Sequence, residues 1–574
     1  MASKTRLELT WIGKDERPRL EPRILLEDPE KSYSRPGPDG PGIRDNRLIF
    51  GDNLLALKAL EQEFTGKVKC VYIDPPFNTK QAFAHYDDGV EHSLWLGLMR
   101  DRCELLWRLL NDDGSFWFHC DDNEQAYAKV MLDELFGRQC FVATVVWQGR
   151  YSRSNDAALS LSHNFVMVYA KQPVRWAKLR NRLPRTAEQA DQYKNPDGDP
   201  RGPWRAIPWD APNIRPNLSY PITTPTGKVR LPPPGRCWSR TEDQWHDDIV
   251  AKGLAYFGKS GDGAPSFKQY LSAANDIVPN TWWEHRDTGH TDEAKKEGLA
   301  LFSDAPFDTP KPERLLQRII TIATEPGDIV LDSFGGSGTT GAVAQKMARR
   351  WIMVELGEHC HTHIIPRLKK VIDGADPGGV TETAGWKGGG GFRYYRLAPS
   401  LLERDSWGNW VVSKQYNPAM LAEALCKHEG FRYEPSQEIY WQHGRSTERD
   451  FIYVTTQTLT REQLSVLSSE VGPDRTLLVC CGAFRAKRDE FANLTLKKIP
   501  LAVLHRCEWG KDDYSLNINE RVQPAEDRDG DATPSSARGA RKAGKKGSAD
   551  TSTLSLFREP EPERRVRKRT TKKR

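Results

Sequence analysis

The chain has 574 residues, of which 38% are hydrophobic, and its mean hydropathy is −0.67. This length exceeds what one hydrophobic core supports, so we expect two or three domains joined by linkers. The sequence contains no apolar run of about 18 residues, and therefore no membrane span is predicted. The stretch MASKTRLELT lacks the apolar segment of a signal peptide, which indicates a cytoplasmic protein.

The 10 cysteines are scattered along the chain without any Cys-X-X-Cys pair. This distribution indicates reduced, buried thiols and argues against a disulfide framework or a zinc site. One stretch, HCHTH, places His359 and His363 at the i, i+4 spacing that can hold a metal on a helix. Because no second ligand cluster of zinc-like spacing accompanies it, we interpret this stretch as a solvated helix and predict no metal site.

The net charge of +6 is unevenly distributed along the chain. Residues 538–574 contain 14 Lys or Arg and 4 Asp or Glu, a net charge of +10, whereas residues 1–537 carry −4. Any nucleic-acid site in the folded part must therefore be a local basic groove. The basic segment either adds weak, salt-sensitive contacts to phosphates or serves as a solubilising tail, and the sequence leaves both interpretations open.

Strands and helices alternate in the first part of the chain. Residues 1–45 end in a Pro- and Gly-rich stretch and predict an irregular arm. In residues 46–174, a short apolar strand leads through a Gly-Asp-Asn turn into an amphipathic helix, and KVKCVYI then predicts a strand buried on both faces. Further helices and strands follow. This alternation predicts an α/β fold with a parallel sheet that helices cover.

The second part of the chain interrupts this pattern and then resumes it. Residues 175–300 are rich in Pro, Trp and Gly, which predicts an inserted domain or a system of recognition loops. Residues 301–375 return to helix, strand and Gly-rich turn, so we expect the sheet to resume there. Residues 386–518 predict a smaller α/β domain, and the low-complexity segment 520–574 is expected to be disordered.

A Gly-rich turn between a predicted strand and a predicted helix is the first candidate binding site. Residues 336–341 read GSGTTG, a match to GxGxxG, and Glu355 ends the next strand 19 residues after Gly336. Glycines let a ligand approach the backbone at a helix amino terminus, and an acidic side chain at this distance can hold ribose hydroxyls. The turn therefore predicts an adenosine-type cofactor, and both NAD and S-adenosylmethionine fit it.

The second candidate site is Asp74-Pro75-Pro76-Phe77, at the carboxyl end of a predicted buried strand, where open parallel sheets bind ligands. An exocyclic amine on an aromatic base is a poor nucleophile because its lone pair is delocalised. A carboxylate and a main-chain carbonyl that accept both N–H hydrogens would direct that lone pair at an electrophilic methyl group. Prolines rigidify the turn, and Phe77 offers a face for stacking a base. Taken alone, the tetrapeptide fits an ordinary turn equally well.

Together these motifs resemble the site-specific DNA methyltransferases that modify adenine N6, in which DPPF precedes the cofactor motif. The methylation subunits of type III restriction-modification systems have this arrangement. The resemblance covers roughly residues 46–175 and 300–375 in one consistent order, including RLIFGDNLLAL, VYIDPPFNT, TPKPERLL and LDSFGGSGTT. It implies a Rossmann-like, S-adenosylmethionine-dependent methyltransferase fold with circularly permuted motif order, an inserted recognition region and a smaller carboxyl-terminal α/β domain.

The resemblance also implies roles for individual residues. The DPPF motif, Asp74 to Phe77, would receive an adenine flipped out of the duplex. S-adenosylmethionine would be bound by residues from both halves of the catalytic domain: Asp52, Asn53, Lys311, Pro312, Asp332, Phe334, Gly336, Gly338 and Glu355. The first two would border its adenine, and Lys311 with Pro312 its methionine part. Cytosine-N4 members usually carry Ser in place of Asp74, so adenine is favoured and cytosine is the alternative.

Two other functional classes stay open at this point. An NAD-dependent oxidoreductase would explain the GxGxxG match alone, and a non-catalytic DNA-binding subunit would explain the basic tail. The DPPF motif and the FxGxG element of the resembled family, Phe334 to Gly338, together favour the methyltransferase. Its implied partners are double-stranded DNA and, within a defence system, a restriction or helicase subunit or a second copy of the chain. The segment 175–300 is the candidate target-recognition region, with a lid as the alternative.

Overall fold

The structure is a computed structural model, and it describes residues 8–38, 40–77, 88–152, 158–302, 307 and 309–515. The segment 520–574, expected to be disordered, lies outside these residues. In the described part of the chain, no helix is both long enough and apolar enough for a bilayer crossing. All 10 cysteines are buried, as predicted.

An 11-stranded sheet lies at the centre of the fold. In chain order its strands are β1 (Leu25–Glu27), β2 (Tyr33–Arg35), β3 (Asn46–Phe50), β4 (Val68–Ile73), β5 (Leu110–Cys120), β6 (Phe141–Trp147), β7 (Asn164–Ala170), β8 (Trp282–Trp283), β9 (Ile329–Asp332), β10 (Arg350–Glu355) and β11 (Gly390–Leu397). Their order in space is β1-β11-β3-β10-β9-β4-β5-β7-β6-β8, and β2 also pairs with β11.

The six neighbouring strands from β11 to β5 run parallel, as the alternation of strands and helices predicts. The prediction of a parallel sheet is wrong at β7, which runs antiparallel to both β5 and β6. A helix connects β5 to β6, and these two strands run in the same direction. β7 lies between them in the sheet and runs in the opposite direction. An apolar strand pattern does not encode strand direction.

The prediction of an irregular arm is also wrong for part of residues 1–45. β1 and β2 both pair antiparallel with β11, which satisfies backbone groups at this side of the sheet. β11 in turn pairs parallel with β3. The segment 386–518, predicted as a separate domain, therefore begins with a strand of the central sheet, and the carboxyl-terminal domain starts after Leu397.

Seven helices of the described residues pack on the sheet or lead into it: α1 (Asn53–Phe64), α2 (Asp88–Leu109), α3 (Gln125–Phe136), α4 (Glu313–Ala323), α5 (Thr339–Lys346), α6 (Ile365–Ile372) and the short helix Pro173–Leu179, whose Trp176 packs beside β5 and β7. Two apolar clusters occupy the two faces. Along β4, Val71 and Ile73 belong to the cluster that α1 to α3 cover, whereas Cys70 and Tyr72 belong to the cluster under α4 to α6. β4 is thus buried on both faces, as its unbroken apolar run predicts.

Residues 175–300 contain short elements around a separate aromatic core. Trp209, Trp238 and Trp245 are buried together there with other apolar side chains. The strands of this insert are Trp204–Pro208, Asp210–Pro212, Ile222–Thr223, Val229–Arg230, Arg236–Trp238, Ala255–Tyr256 and Ser266–Tyr270, and its longest helix begins at Thr291 and ends at Leu301. β8 also falls in this range, but it joins the central sheet beside β6.

The carboxyl-terminal domain has a five-stranded sheet and two helices of its own. Its strands are Arg432–Tyr433, Gly444–Arg445, Asp450–Val454, Thr476–Cys481 and Leu494–Lys498, and its helices are Pro418–Glu429 and Arg461–Val471. The last three strands are parallel. One of its apolar clusters includes Ile24 from the amino-terminal arm, so the arm packs against this domain as well as the central sheet.

Candidate active site

The two predicted motifs lie side by side at the carboxyl edge of the central sheet. β9, which leads into the Gly-rich turn, pairs parallel with β4, which leads into the DPPF motif. The helix that follows β4 packs on one face of the sheet, and the helix that follows β9 packs on the other face. The two connecting loops therefore diverge at this edge. Open α/β sheets bind ligands in the crevice that forms at such a point.

Two adjoining cavities open at this edge. The larger, of about 470 Å³, is lined by both motifs: Tyr72, Asp74, Pro75, Pro76, Phe77, Phe307, Thr309, Lys311, Leu316, Asp332, Phe334, Gly335, Gly336, Ser337, Thr339, Thr340, Glu355 and His359. The smaller, of about 300 Å³, is lined by Asp52, Asn53, Pro76, Phe77, Trp95, Leu98, Arg102, Ser333, Phe334, Glu355, Leu356, Gly357 and Ser515. Phe334 and Glu355 line both cavities. Together these volumes suit one extended small molecule with a second ligand beside it.

Asp74 is held by a lysine from the second half of the catalytic domain. Lys311 Nζ donates to Asp74 Oδ2, and both side chains are largely buried. The other carboxylate oxygen, Oδ1, is buried and has no hydrogen-bond partner among the described residues. One oxygen is therefore anchored, and the other keeps its acceptor capacity in a side chain that lines the larger cavity.

The turn after Asp74 is fixed by Trp95. Its Nε1 donates to the carbonyl of Pro76 over 3.0 Å. The Pro76 carbonyl is therefore already paired with a side chain, and the Pro75 carbonyl is the candidate acceptor for a base. Phe77 lines both cavities, and its ring centroid lies 5.2 Å from Lys311 Nζ.

Glu355 clamps the Gly-rich turn to the end of β10. Its Oε2 accepts from the backbone of Gly336 over 2.7 Å, and its Oε1 accepts from Leu356 and Gly357 over 2.9 and 2.8 Å. A carboxylate has about four acceptor positions, so Oε2 keeps capacity for a ligand hydroxyl. Gly336 has a φ of +51°, in the left-handed region that glycine adopts without strain.

Asp332 shapes the turn from within. Its Oδ1 accepts from the backbone of Phe334 over 2.9 Å, and Thr340 Oγ1 donates to its Oδ2 over 2.6 Å. Burial raises the pKa of Asp332 to about 8, with the nearby carboxylate of Asp74 adding to the shift. The side chain lines the larger cavity, but both of its oxygens are used to hold the loop.

The remaining predicted cofactor residues take two kinds of position. Asp52 and Asn53 line the smaller cavity, and Asn53 Nδ2 donates to the carbonyl of Ser333 over 2.8 Å, which joins the two halves of the catalytic domain. Gly338 and Pro312 lie at the amino-terminal caps of α5 and α4. A Cβ at Gly338 would approach Ile364 to 3.1 Å, so this glycine permits close packing behind the turn.

A family model for DNA methylases matches residues 68–366, which is more than half of the chain and includes both motifs. The chain belongs to the DNA methylase family. The order β3-β10-β9-β4-β5 reads 3-2-1-4-5 when the cofactor strand β9 is counted first. Because the chain forms β3 to β5 before β9, the motif order is circularly permuted. The predicted Rossmann-like methyltransferase fold with this permutation is confirmed.

Several curated relatives are similar to this DNA methylase. The Mod subunit of the type III restriction-modification enzyme StyLTI from Salmonella typhimurium is 34% identical over 51% of this chain and 49% of the relative. The probable HindVI Mod subunit from Haemophilus influenzae is 32% identical over 69% and 60%. The type II methyltransferase M.EcaI from Enterobacter cloacae is 29% identical over 61% and 75%. The chain thus spans about half to three fifths of the length of the two Mod subunits.

Two site residues of the DNA methylase were not anticipated from the sequence. His119, at the end of β5, is buried beside Asp74, with its Nδ1 2.9 Å from the hydroxyl of Tyr72 and 3.9 Å from Asp74 Oδ1. Burial lowers the pKa of His119 to about 3, so its imidazole is neutral at pH 7. The sequence feature that could have identified His119 is its position as a polar residue near the end of the apolar stretch FWFHC.

The second such residue is Arg102, buried on α2. Its Nη2 donates to Asp52 Oδ2 over 3.1 Å, and its Nε donates to Asn53 Oδ1. Asp52 Oδ1 meanwhile accepts from Leu55 and caps α1. Arg102 therefore fixes the turn that borders the smaller cavity. Nothing in the local pattern of α2 distinguishes it from the other arginines of that helix.

The histidine stretch after β10 contacts Glu355, the residue that holds the Gly-rich turn. The stretch is helical, as expected, but the residues from Cys360 to Ile364 form a short π-helix that leads into α6. His359 Nε2 lies 3.1 Å from Glu355 Oε1, a contact that raises the pKa of His359. No group of three or more His, Cys, Asp or Glu side chains in the described ranges is arranged to hold a metal ion.

Proposed function

We propose that this DNA methylase transfers a methyl group from S-adenosylmethionine to the N6 amine of an adenine within a specific sequence of double-stranded DNA. The observation that supports this most is Asp74, a lining residue of the larger cavity, whose one oxygen is anchored by Lys311 while the other is buried without a hydrogen-bond partner among the described residues. Membership of the DNA methylase family and similarity to type III Mod subunits support the same reaction.

The residues around the two cavities fit S-adenosylmethionine. Glu355, where the cavities meet, would accept from the ribose hydroxyls, and the smaller cavity between Asp52 and Trp95 would take the adenine. The hydroxyl of Ser333 is buried there without a hydrogen-bond partner among the described residues, so a polar ligand atom would satisfy it. When bound, S-adenosylmethionine supplies a methyl group on a positively charged sulfur, together with its own leaving group.

The protein contributes orientation and a place for the proton. With the target adenine flipped into the larger cavity, Asp74 Oδ1 and the Pro75 carbonyl would accept the two N6 hydrogens and direct the nitrogen lone pair. Phe77 would stack on the base. Asp74 Oδ1 is also the candidate acceptor for the proton that N6 must release, because Lys311 occupies Oδ2 and His119, whose Nδ1 lies 3.9 Å from Oδ1, is neutral.

We assign target recognition to the insert at 175–300. Its separate aromatic core supports an exposed loop in which Asn213, Arg215 and Asn217 face solvent. Asn and Arg are the side chains that make bidentate contacts to adenine and guanine in the major groove. The Mod subunits among the relatives belong, by their names, to restriction-modification enzymes. We propose that this chain serves in such a defence system beside a restriction subunit.

Replacement of the unpaired acceptor tests the proposed reaction. In Asp74→Ala, transfer of radiolabelled methyl groups to DNA is expected to be lost, while binding of S-adenosylmethionine by equilibrium dialysis stays near the wild-type level. Asp489→Ala, an exposed carboxylate of the carboxyl-terminal domain, is the matched control and should keep full activity. Wild-type methyl transfer by Asp74→Ala would overturn the assignment. Digestion of the product DNA to nucleosides separates N6-methyladenine from the alternative, N4-methylcytosine.

A further inference from the structure

The last described residues of the chain lie against the smaller cavity, far from both motifs in sequence. Ser515 is part of the cavity lining, together with Asn53 and Leu98. The preceding residue, Tyr514, donates its backbone N–H to Asp52 Oδ2 over 3.0 Å, and its ring packs against the apolar cluster under α1 and α2. The segment 513–515 is thus in contact with the turn that borders the cavity.

Asp52 is the residue through which this segment reaches the site. Its carboxylate is almost fully buried, and it accepts from three donors: Leu55 at the start of α1, Arg102 on α2 and the backbone of Tyr514. A buried carboxylate needs such donors because burial removes it from water. The Tyr514 N–H is therefore part of the polar framework of the cavity wall.

The segment is held in place by the amino-terminal arm and the carboxyl-terminal domain. Buried Arg23 donates to the carbonyl of Lys511 over 3.0 Å and pairs with Asp512 over 2.6 Å. Ser400 Oγ accepts from the backbone of Gly510 over 2.9 Å and donates to buried Glu21. These contacts bring parts of the chain that lie outside the two motif regions to one place beside the cavity.

We infer that the segment 513–515 completes the binding site for the adenosine part of S-adenosylmethionine. Ser515 forms a wall of the adenine cavity, and Tyr514 holds Asp52 in the position that borders the ligand. This inference rests on the proposed function, since it assigns the cavity to the cofactor named there. On this inference, the amino-terminal arm and the carboxyl-terminal domain contribute to cofactor binding by holding this segment in place.

A single introduced thiol tests this inference in the full-length chain. All 10 native cysteines are buried, so Ser515→Cys adds a thiol at a half-buried position that a maleimide can label selectively. Saturating S-adenosylmethionine, and adenosine alone, should each slow the labelling at least about tenfold, because pockets of this kind enclose most of a ligand's surface. Methionine alone should leave the rate unchanged. Ser446→Cys, exposed in the carboxyl-terminal domain, should label at one rate throughout.

A second variant fills the cavity. Ser515→Trp should weaken binding of S-adenosylmethionine at least about tenfold in equilibrium dialysis, a loss of about 1.4 kcal/mol, whereas Ser446→Trp, at an exposed position outside the cavity, should bind as the wild type does. Equal labelling rates with and without ligand, in a Ser515→Cys protein that dialysis shows to be saturated, would overturn the inference and leave the proposed function intact. If the wild-type protein does not bind S-adenosylmethionine in dialysis, the proposed function fails and this inference fails with it.

Discussion

Lys311 reaches the reactive carboxylate from the second half of the catalytic domain. The resemblance to DNA methyltransferases places this residue near the methionine part of the cofactor, a role that stays a prediction, and the structure adds its ion pair with Asp74. The pair fixes one carboxylate oxygen and thereby sets the direction of the other. Because Lys311 lies two residues before the start of α4, the ion pair ties the second half of the domain to the turn that carries Asp74 in the first half.

Removal of this ion pair should slow methyl transfer without abolishing it. In Lys311→Met, kcat is expected to fall about 100-fold, since misplacement of a positioned group by about 1 Å costs that much. Lys311→Arg keeps the charge and should lose much less. Single-turnover transfer of labelled methyl groups with saturating DNA and cofactor measures this effect. A kcat of Lys311→Met equal to that of the wild type would show that the pair does not orient Asp74.

Asp332 couples the shape of the cofactor turn to pH. Its pKa is about 8 in the folded protein because the side chain is buried, against an ordinary value of 3.8. The folded state therefore holds a proton that the unfolded state has released, and the stability from this group is lost as pH rises from about 4 to about 8. Asn in this position keeps an acceptor for Phe334 and cannot ionise.

We therefore expect the melting temperature of the wild-type protein to fall more steeply between pH 5 and pH 8 than that of Asp332→Asn. Differential scanning fluorimetry of both proteins in matched buffers measures the difference, and subtraction removes the titration of groups that the two share. Parallel curves would contradict the raised pKa of Asp332. Asp405→Asn, at a carboxylate with a lowered pKa in the carboxyl-terminal domain, should leave the slope over this pH range unchanged.

At the residue scale, the sequence could identify side chains within motifs but not the partners that distant segments supply. Asp74 and Glu355 stand out because each ends an apolar strand, and strand ends meet at one edge of the sheet. His119, Arg102 and Ser515 carry no local signal of comparable strength. His119 and Arg102 acquire their roles through contacts across 47 and 50 positions of the chain, and Ser515 lines a cavity with residues from the first half of the chain, which only the fold reveals.

At the scale of elements, strand positions followed from apolar runs, while strand direction and edge pairing did not. β4 was expected to be buried on both faces because its run is apolar throughout, and β9 was expected as a strand of the resumed sheet. β1 and β2 consist of three residues each, so they show no periodicity and depend on β11 for their backbone bonds. A short strand at the edge of a sheet is stabilised by its neighbour more than by its own sequence.

The exposed loop of the insert carries a prediction at this scale. Between two short strands, Asn213 adopts a φ of +73°, and Arg215 and Asn217 are exposed beyond it. If this loop contacts base edges, Arg215→Ala and Asn217→Ala should each weaken binding to the methylated site by about 1–3 kcal/mol and leave binding to unrelated DNA nearly unchanged. Competition binding with specific and random duplexes measures both values.

The matched control for this loop is Arg488→Ala, an exposed arginine of the carboxyl-terminal domain. It should alter neither specific nor random binding by a comparable amount. Equal losses on both kinds of DNA for Arg215→Ala would indicate a phosphate contact. Unchanged binding in both loop variants would contradict recognition by this loop and favour the alternative, a lid over the site.

At the scale of the whole molecule, the distribution of charge separates two contributions to DNA binding. Residues 1–537 carry a net charge of −4, so the folded part has no general attraction for a polyanion and must rely on local contacts. Residues 538–574 carry +10 and could supply attraction that is independent of sequence. The two interpretations of this segment, phosphate contacts or a solubilising tail, differ in how binding depends on salt.

We expect the basic segment to contact phosphates, and removal of its charge should therefore reduce the salt dependence of DNA binding. The logarithm of the binding constant falls with the logarithm of salt concentration by about 0.9 for each phosphate neutralised. A full-length variant with Gln in place of the Lys and Arg residues of 564–574 should show a slope smaller by at least about 1, with kcat at low salt unchanged. Fluorescence anisotropy with labelled duplexes between about 50 and 200 mM salt gives the slope.

The control is a variant in which the 4 acidic residues of 538–574 become Gln, which should leave the slope equal or steeper. An equal slope for the wild-type and charge-depleted chains would show that the segment makes no phosphate contacts, and its basic residues would then serve solubility.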